Sequence, residues 1–122
     1  MAEEYIVFIV EPDWDPSQVS ESDWTAVMHA HQAFATAVEE AGAQLLGGDA
    51  LQPPQRAVRI QPGREGSPAV FTDGPFGEVK EVVTGYYKIG VKDAAQAREL
   101  AAKVPTSGHL ELYPVMDTGS MP

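Results

Sequence analysis

Tyr5-Ile6-Val7-Phe8-Ile9-Val10 is the stretch that decides how this chain folds. Every residue in it is β-branched or aromatic, which is the composition of a strand. Both alternation sets are apolar: Tyr5, Val7 and Ile9 on one face, Ile6, Phe8 and Val10 on the other. A strand with one wet face would carry polar residues at every second position, so this one expects cover on both sides.

The neighbouring segments say what supplies that cover. Glu11 to Ser20 is a loop with two prolines and two further acids. Ser20 or Ser22 can cap the helix that comes next, and Ser20 has Asp23 three residues later, a weaker form of the capping box. Over Asp23 to Ala41, the residues Trp24, Val27, Met28, His31, Phe34, Ala35 and Val38 gather on one face at about 100° per residue, and Gly42 stops the helix. Ala43 to Leu51 reads as a second strand, bulged at Gly47-Gly48, and Pro53-Pro54 breaks it. Ala57 to Gln61 and Ala69 to Thr72, joined by a turn-rich link, read as a hairpin. Val82 to Val91 is a strong strand, Asp93 to Val104 a short helix capped by Asp93, and His109 to Val115 the last strand.

The order is β-α-β, an inserted hairpin, then β-α-β. That predicts an α+β domain of the split βαβ, ferredoxin-like kind, with Tyr5–Val10 and Val82–Val91 central. It spans residues 1–116, and the small polar tail 117–122 is expected to fray. Two helices cover only one face of such a sheet. The other apolar face of Tyr5–Val10 needs a partner, either a second copy of the same sheet or the hairpin folded back over it. The sequence thus expects a homodimer.

Composition narrows the function. The 122 residues fit one ordinary domain. The absence of cysteine removes disulfides, thiolate zinc sites and cysteine nucleophiles. The acidic start Met1-Ala2-Glu3-Glu4 and the lack of a long apolar run predict a cytoplasmic chain with no membrane contact. Eighteen acids against eight lysines and arginines leave a formal charge of −10, which argues against direct nucleic-acid binding. There is no Walker loop, GxGxxG, GxSxG or HExxH motif, and no metal or cofactor is expected.

The most distinctive run is Phe71-Thr72-Asp73-Gly74-Pro75-Phe76-Gly77-Glu78-Val79-Lys80-Glu81, followed by the strand Gly85-Tyr86-Tyr87-Lys88-Ile89. With the Tyr-x-Val-Phe-Ile opening, Gly42, Leu51-Gln52-Pro53-Pro54, Pro105 and the closing Leu110-Glu111-Leu112-Tyr113-Pro114-Val115, it resembles the DGPF (YCII-related) family over nearly the whole chain. The resemblance implies a ferredoxin-like fold and a dimeric α/β-barrel assembly. It implies no settled activity. Some members are linked to extracytoplasmic-function sigma factors, and related proteins carry a first-helix histidine proposed for acid/base work. His31, upstream of Gly42, matches that spacing; His29 does not.

The residues themselves leave two readings at each candidate position. His31 lies within the apolar helix face and is either an acid/base group near neutral pH or a core histidine satisfied by its neighbours. It is expected to be buried, to line a pocket near Asp73 and to find its partner in a tyrosine, a backbone carbonyl or Asp73, while His29 is exposed. Asp73 is a turn-former or a carboxylate facing His31, and Phe76 an apolar plug. Tyr86 and Tyr87 alternate, so one faces the helices and one the open side, and either could orient a ligand or fill an interface. Asp49 and Glu78 are possible second carboxylates, and Arg56, Arg59 and Lys80 possible anion contacts or plain surface charge. Two functions follow: a small-molecule site built on His31 and Asp73 with Tyr86 or Tyr87, or a regulatory module that works by contact within a sigma-factor system.

Overall fold

The computed structural model describes residues 3–75 and 81–120. Four strands form one antiparallel sheet: β1 (Glu3–Pro12), β2 (Gln44–Ala50), β5 (Glu81–Val91) and β6 (His109–Pro114), in the order β2-β5-β1-β6. The helices α1 (Glu21–Glu40) and α2 (Ala94–Ala101) connect β1 to β2 and β5 to β6. This is the ferredoxin-like α+β arrangement, with the two most apolar strands in the centre. The strands β3 (Val58–Gln61) and β4 (Val70–Asp73) pair only with each other, in a separate two-stranded sheet inserted between β2 and β5.

Local chemistry fixes the helix ends. Ser20 accepts a hydrogen bond from the Asp23 N–H while the Asp23 carboxylate accepts one from the Ser20 N–H, closing a capping box at α1. Gly42, at φ +75°, ends the helix in a conformation that disfavours any side chain. Asp93 caps α2 through the Gln96 N–H.

The core lies between the sheet and the helices. Tyr5, Val7 and Ile9 of β1 and Ile89 and Val91 of β5 are buried against Phe34 and Val38 of α1 and against Ala97, Leu100, Ala101 and Val104 of the α2 region. On the opposite face, Ile6, Phe8 and Val10 are only half covered. The Phe8 ring meets Tyr113 edge to face at 5.5 Å, and a cleft of about 310 Å³ runs beside them, lined by Val10, Val82, Val83, Tyr113 and the acids Glu81 and Glu111. Among the described residues, none of the β3–β4 hairpin lines this cleft.

Two details depart from the sequence reading. The extra residue of β2 is Leu46, since the register slips between Leu45 and Gly47, one position earlier than expected. The apolar face of α1 is buried only in its second half: Phe34 and Val38 are covered, whereas Trp24, Val27 and Met28 are exposed. The sheet reaches under the last turns of α1 and not under the first.

Candidate functional site

The phase of α1 is set by Phe34 and Val38, and it turns His31, one turn earlier, to the edge of the same buried face. There the His31 Nδ1 lies 2.6 Å from the hydroxyl of Tyr87. Tyr87 pairs across the sheet with Val7 and so projects from the helix-covered face. Phe34 packs on its ring at a centroid distance of 4.7 Å. Tyr86, the next residue, points the other way and donates to Asp49 Oδ2 at 2.7 Å.

A carboxylate shares that helix-side face. Glu11 continues the alternation of Tyr5, Val7 and Ile9. Next to it, an irregularity in the β1–β5 register leaves Thr84 as an extra residue of β5. The Thr84 hydroxyl donates to Glu11 Oε1 at 2.5 Å. The other carboxylate oxygen accepts from the Thr106 hydroxyl at 3.1 Å, the Ser107 N–H at 2.9 Å and the Ser107 hydroxyl at 3.3 Å. One carboxylate thus joins β1, β5 and the α2–β6 loop.

The family profile of the YCII-related domain matches residues 14–118. The chain belongs to the YCII-related family. The comparison with curated proteins returns no similar sequence.

The electrostatics of this YCII-related protein centre on His31, Tyr87 and Glu11. Partial burial lowers the His31 pKa below its ordinary value, with the nearby negative charge of Glu11 opposing the change. Burial raises the pKa of the Tyr87 hydroxyl, so Tyr87 is a neutral phenol at pH 7. Burial also pushes Glu11 upward, but the hydrogen bonds from Thr84, Ser107 and Thr106 outweigh it and hold the carboxyl below its usual range. The Tyr87 contact couples the two imidazole nitrogens. When the phenol donates to Nδ1, Nε2 carries the N–H and donates a hydrogen bond; when Nδ1–H donates to the phenol oxygen, Nε2 is a base, and once protonated it can return that proton.

Both shifts make the fold less stable in acid. His31 is harder to protonate folded than unfolded, so stability is complete above the ordinary value of 6.5 and declines as pH falls below it toward the lowered folded value. Glu11 is easier to ionise folded than unfolded, so its contribution is complete above 4.5 and is lost as pH falls through its own lowered value. We expect the melting temperature, followed by calorimetry, to drop over both windows. Glu11→Gln should flatten the lower one and enlarge the upper one, because the charge that opposes the lowering of the His31 pKa is gone. A wild-type profile below pH 4.5 in that variant would contradict this.

The other expected site residues are spread out. Asp73 is exposed at the end of β4, on the separate hairpin, while the Nδ1 of His31 is engaged by Tyr87. His29 is exposed. Asp49 holds Tyr86 on the open side of the sheet. Phe76, Glu78 and Lys80 lie outside the described residues. Neither the open-face cleft nor a second cleft at Gly42, Gln44 and Lys92 is lined by His31, which is half-buried. Among the described residues, no cluster of three or more metal-binding side chains is present and no helix is long and apolar enough to cross a membrane.

Sequence reasoning missed Glu11. It ended the first strand at Val10 and read the glutamate as the start of a loop. The available signal was its parity: a carboxylate at the next position of an inward-facing set needs hydrogen-bond donors around it.

Proposed function

We propose that this YCII-related protein is a homodimer in which each protomer offers His31 to a small molecule as an acid/base group, with Tyr87 holding the imidazole in place and Glu11 supplying a fixed negative charge. The observation that carries the reading is the 2.6 Å contact between His31 Nδ1 and the Tyr87 hydroxyl. An imidazole held at one nitrogen keeps the other in a fixed position, with its role as donor or acceptor tied to the direction of the hydrogen bond to Tyr87, an arrangement that suits proton transfer. The half-covered open face with Ile6, Phe8, Val10 and Tyr113 supports pairing with a second sheet.

Proton transfer is measurable before the full reaction is known. In D2O, the protein should wash deuterium into one or more members of a panel of small carbonyl compounds. His31→Asn should slow that exchange by about 100-fold or more, while Tyr87→Phe should slow it less and alter its pH profile. If no compound exchanges and none perturbs the His31 ring signals, the acid/base reading fails. A module that works by protein contact, including contact within a sigma-factor system, would then be favoured. Light scattering of the same sample checks the dimer, and a monomer mass at micromolar concentration counts against it.

A further inference from the structure

His109 stands on the open face of the sheet, directly opposite Val10. Its Nδ1 lies 3.2 Å from Glu81 Oε2, and its Nε2 lies 2.9 Å from Glu111 Oε2. Glu81 belongs to β5, whereas His109 and Glu111 belong to β6, and β1 runs between the two strands. The imidazole therefore meets one of its carboxylates across β1, beside the open-face cleft that both glutamates line. A neutral imidazole has a single N–H and can donate to only one of them. The imidazolium has two and donates to both at once.

The rest of that face gives this charge its importance. The strand registers put Glu4, Asp49, Glu81 and Glu111 on it with Lys88, around the apolar stripe of Phe8, Val10 and Tyr113. Lys88 pairs with Glu4 at 3.2 Å, and Asp49 accepts from Tyr86. Among the described residues, Glu81 of β5 and Glu111 of β6 are the charged groups that face His109, and β1 presents Val10 and Phe8 there. Asp13, just beyond β1, turns back to accept the Trp14 N–H. When two such faces pack about a two-fold axis, the acids of both protomers enter one contact and lose water. Carboxylates left unpaired there are costly, and like charges repel. A protonated His109 offsets one negative charge per protomer, and a neutral one offsets none.

We infer that His109 is a proton-operated switch on the pairing of two sheets. Protonated, it bridges Glu81 and Glu111 and lets the open faces of two copies of this chain meet. Neutral, it leaves their charge uncompensated and the protomers part. The inference rests on the sheet-to-sheet dimer proposed above and adds its regulation. Pairing then takes up protons, so the dimer is favoured on the acid side of the histidine range and weakened above it. That sign is opposite to the effect of His31 and Glu11, whose shifts weaken the fold in acid, so one pH series separates the two.

The test is the dimer dissociation constant, read by analytical ultracentrifugation over a dilution series. For the wild type it should rise about tenfold or more between about pH 6 and about pH 8. His109→Gln, which keeps the position neutral, should pair weakly at both values. Glu81→Gln/Glu111→Gln, which removes the charge that needs offsetting, should pair tightly at both. All three positions are exposed, so these variants should fold. A wild-type dimer equally strong at both pH values overturns the switch and spares the dimer. A pH dependence that survives in His109→Gln belongs to another group and also overturns the switch. A wild-type monomer at both pH values overturns the dimer and the switch together.

Discussion

Phe34→Ala is expected to destabilise the protein by about 3–5 kcal/mol, as large-to-small changes of buried aromatics do. Phe34 is 1% exposed, is among the largest fully buried side chains and packs on the Tyr87 ring at 4.7 Å. It belongs to the half of α1 that the sheet covers, so its removal opens a void where helix and sheet meet, with little freedom to collapse. Domains of this size are stable by only about 5–15 kcal/mol, so the variant should be partly unfolded at moderate denaturant. Urea unfolding followed by circular dichroism reads the change as a lower midpoint at unchanged slope. A loss below about 1 kcal/mol would mean that neighbouring side chains refill the space. The same variant removes a wall from the Tyr87 ring, so His31 should lose part of its fixed orientation even where the fold survives.

Gly108→Ala should be comparably damaging for a different reason. A Cβ at this position would lie 2.0 Å from the carbonyl oxygen of Val10 and 2.9 Å from the Cα of Glu11. Both atoms are backbone of the central strand β1, so no rotamer change relieves the contact. The turn before β6 has to move, and Thr106 and Ser107 move with it, away from the carboxylate they hold. The expected loss is about 2–4 kcal/mol, within the range of severe single substitutions. A second readout separates this from general damage: the Glu11 carboxyl, freed from its donors, should titrate nearer its ordinary value by carbon-detected NMR. An unchanged Glu11 titration in a folded Gly108→Ala protein would show that the turn adapts without releasing the clamp.

Much of the fold was legible because it rests on local rules. The two apolar faces of Tyr5–Val10 marked a central strand; Ser20 with Asp23, Gly42 and Asp93 marked helix ends; and the turn-rich 62–68 segment marked a hairpin. The histidine was legible too, because helical phase is an angle and angles follow from spacing. Extent is not an angle. The wheel placed Trp24, Val27 and Met28 on the same face as Phe34 and Val38, yet it carries no information on how far the sheet runs beneath the helix. The Glu11 clamp was hidden for a related reason. Its donors, Thr84, Thr106 and Ser107, lie more than 70 residues away, and only the closed sheet brings them to one carboxylate. Asp73 ends β4, and facing His31 is a long-range property that no turn rule contains.

The place where the hairpin is inserted has a consequence for how such a chain can vary. β2 and β5 are antiparallel neighbours, with Ala50 opposite Gly85 and the Leu51 N–H donating to the Thr84 carbonyl at 2.8 Å. They are therefore already the two arms of one long hairpin, whose connection runs from Leu51 to the start of β5 at Glu81. The entropy of closing a loop grows only with the logarithm of its length, so doubling it costs about 0.6 kcal/mol. Segments of quite different length and sequence could be spliced in at this point while the sheet, its helices and the His31–Tyr87 contact stay as they are. The scaffold thus has a socket for interchangeable outer parts.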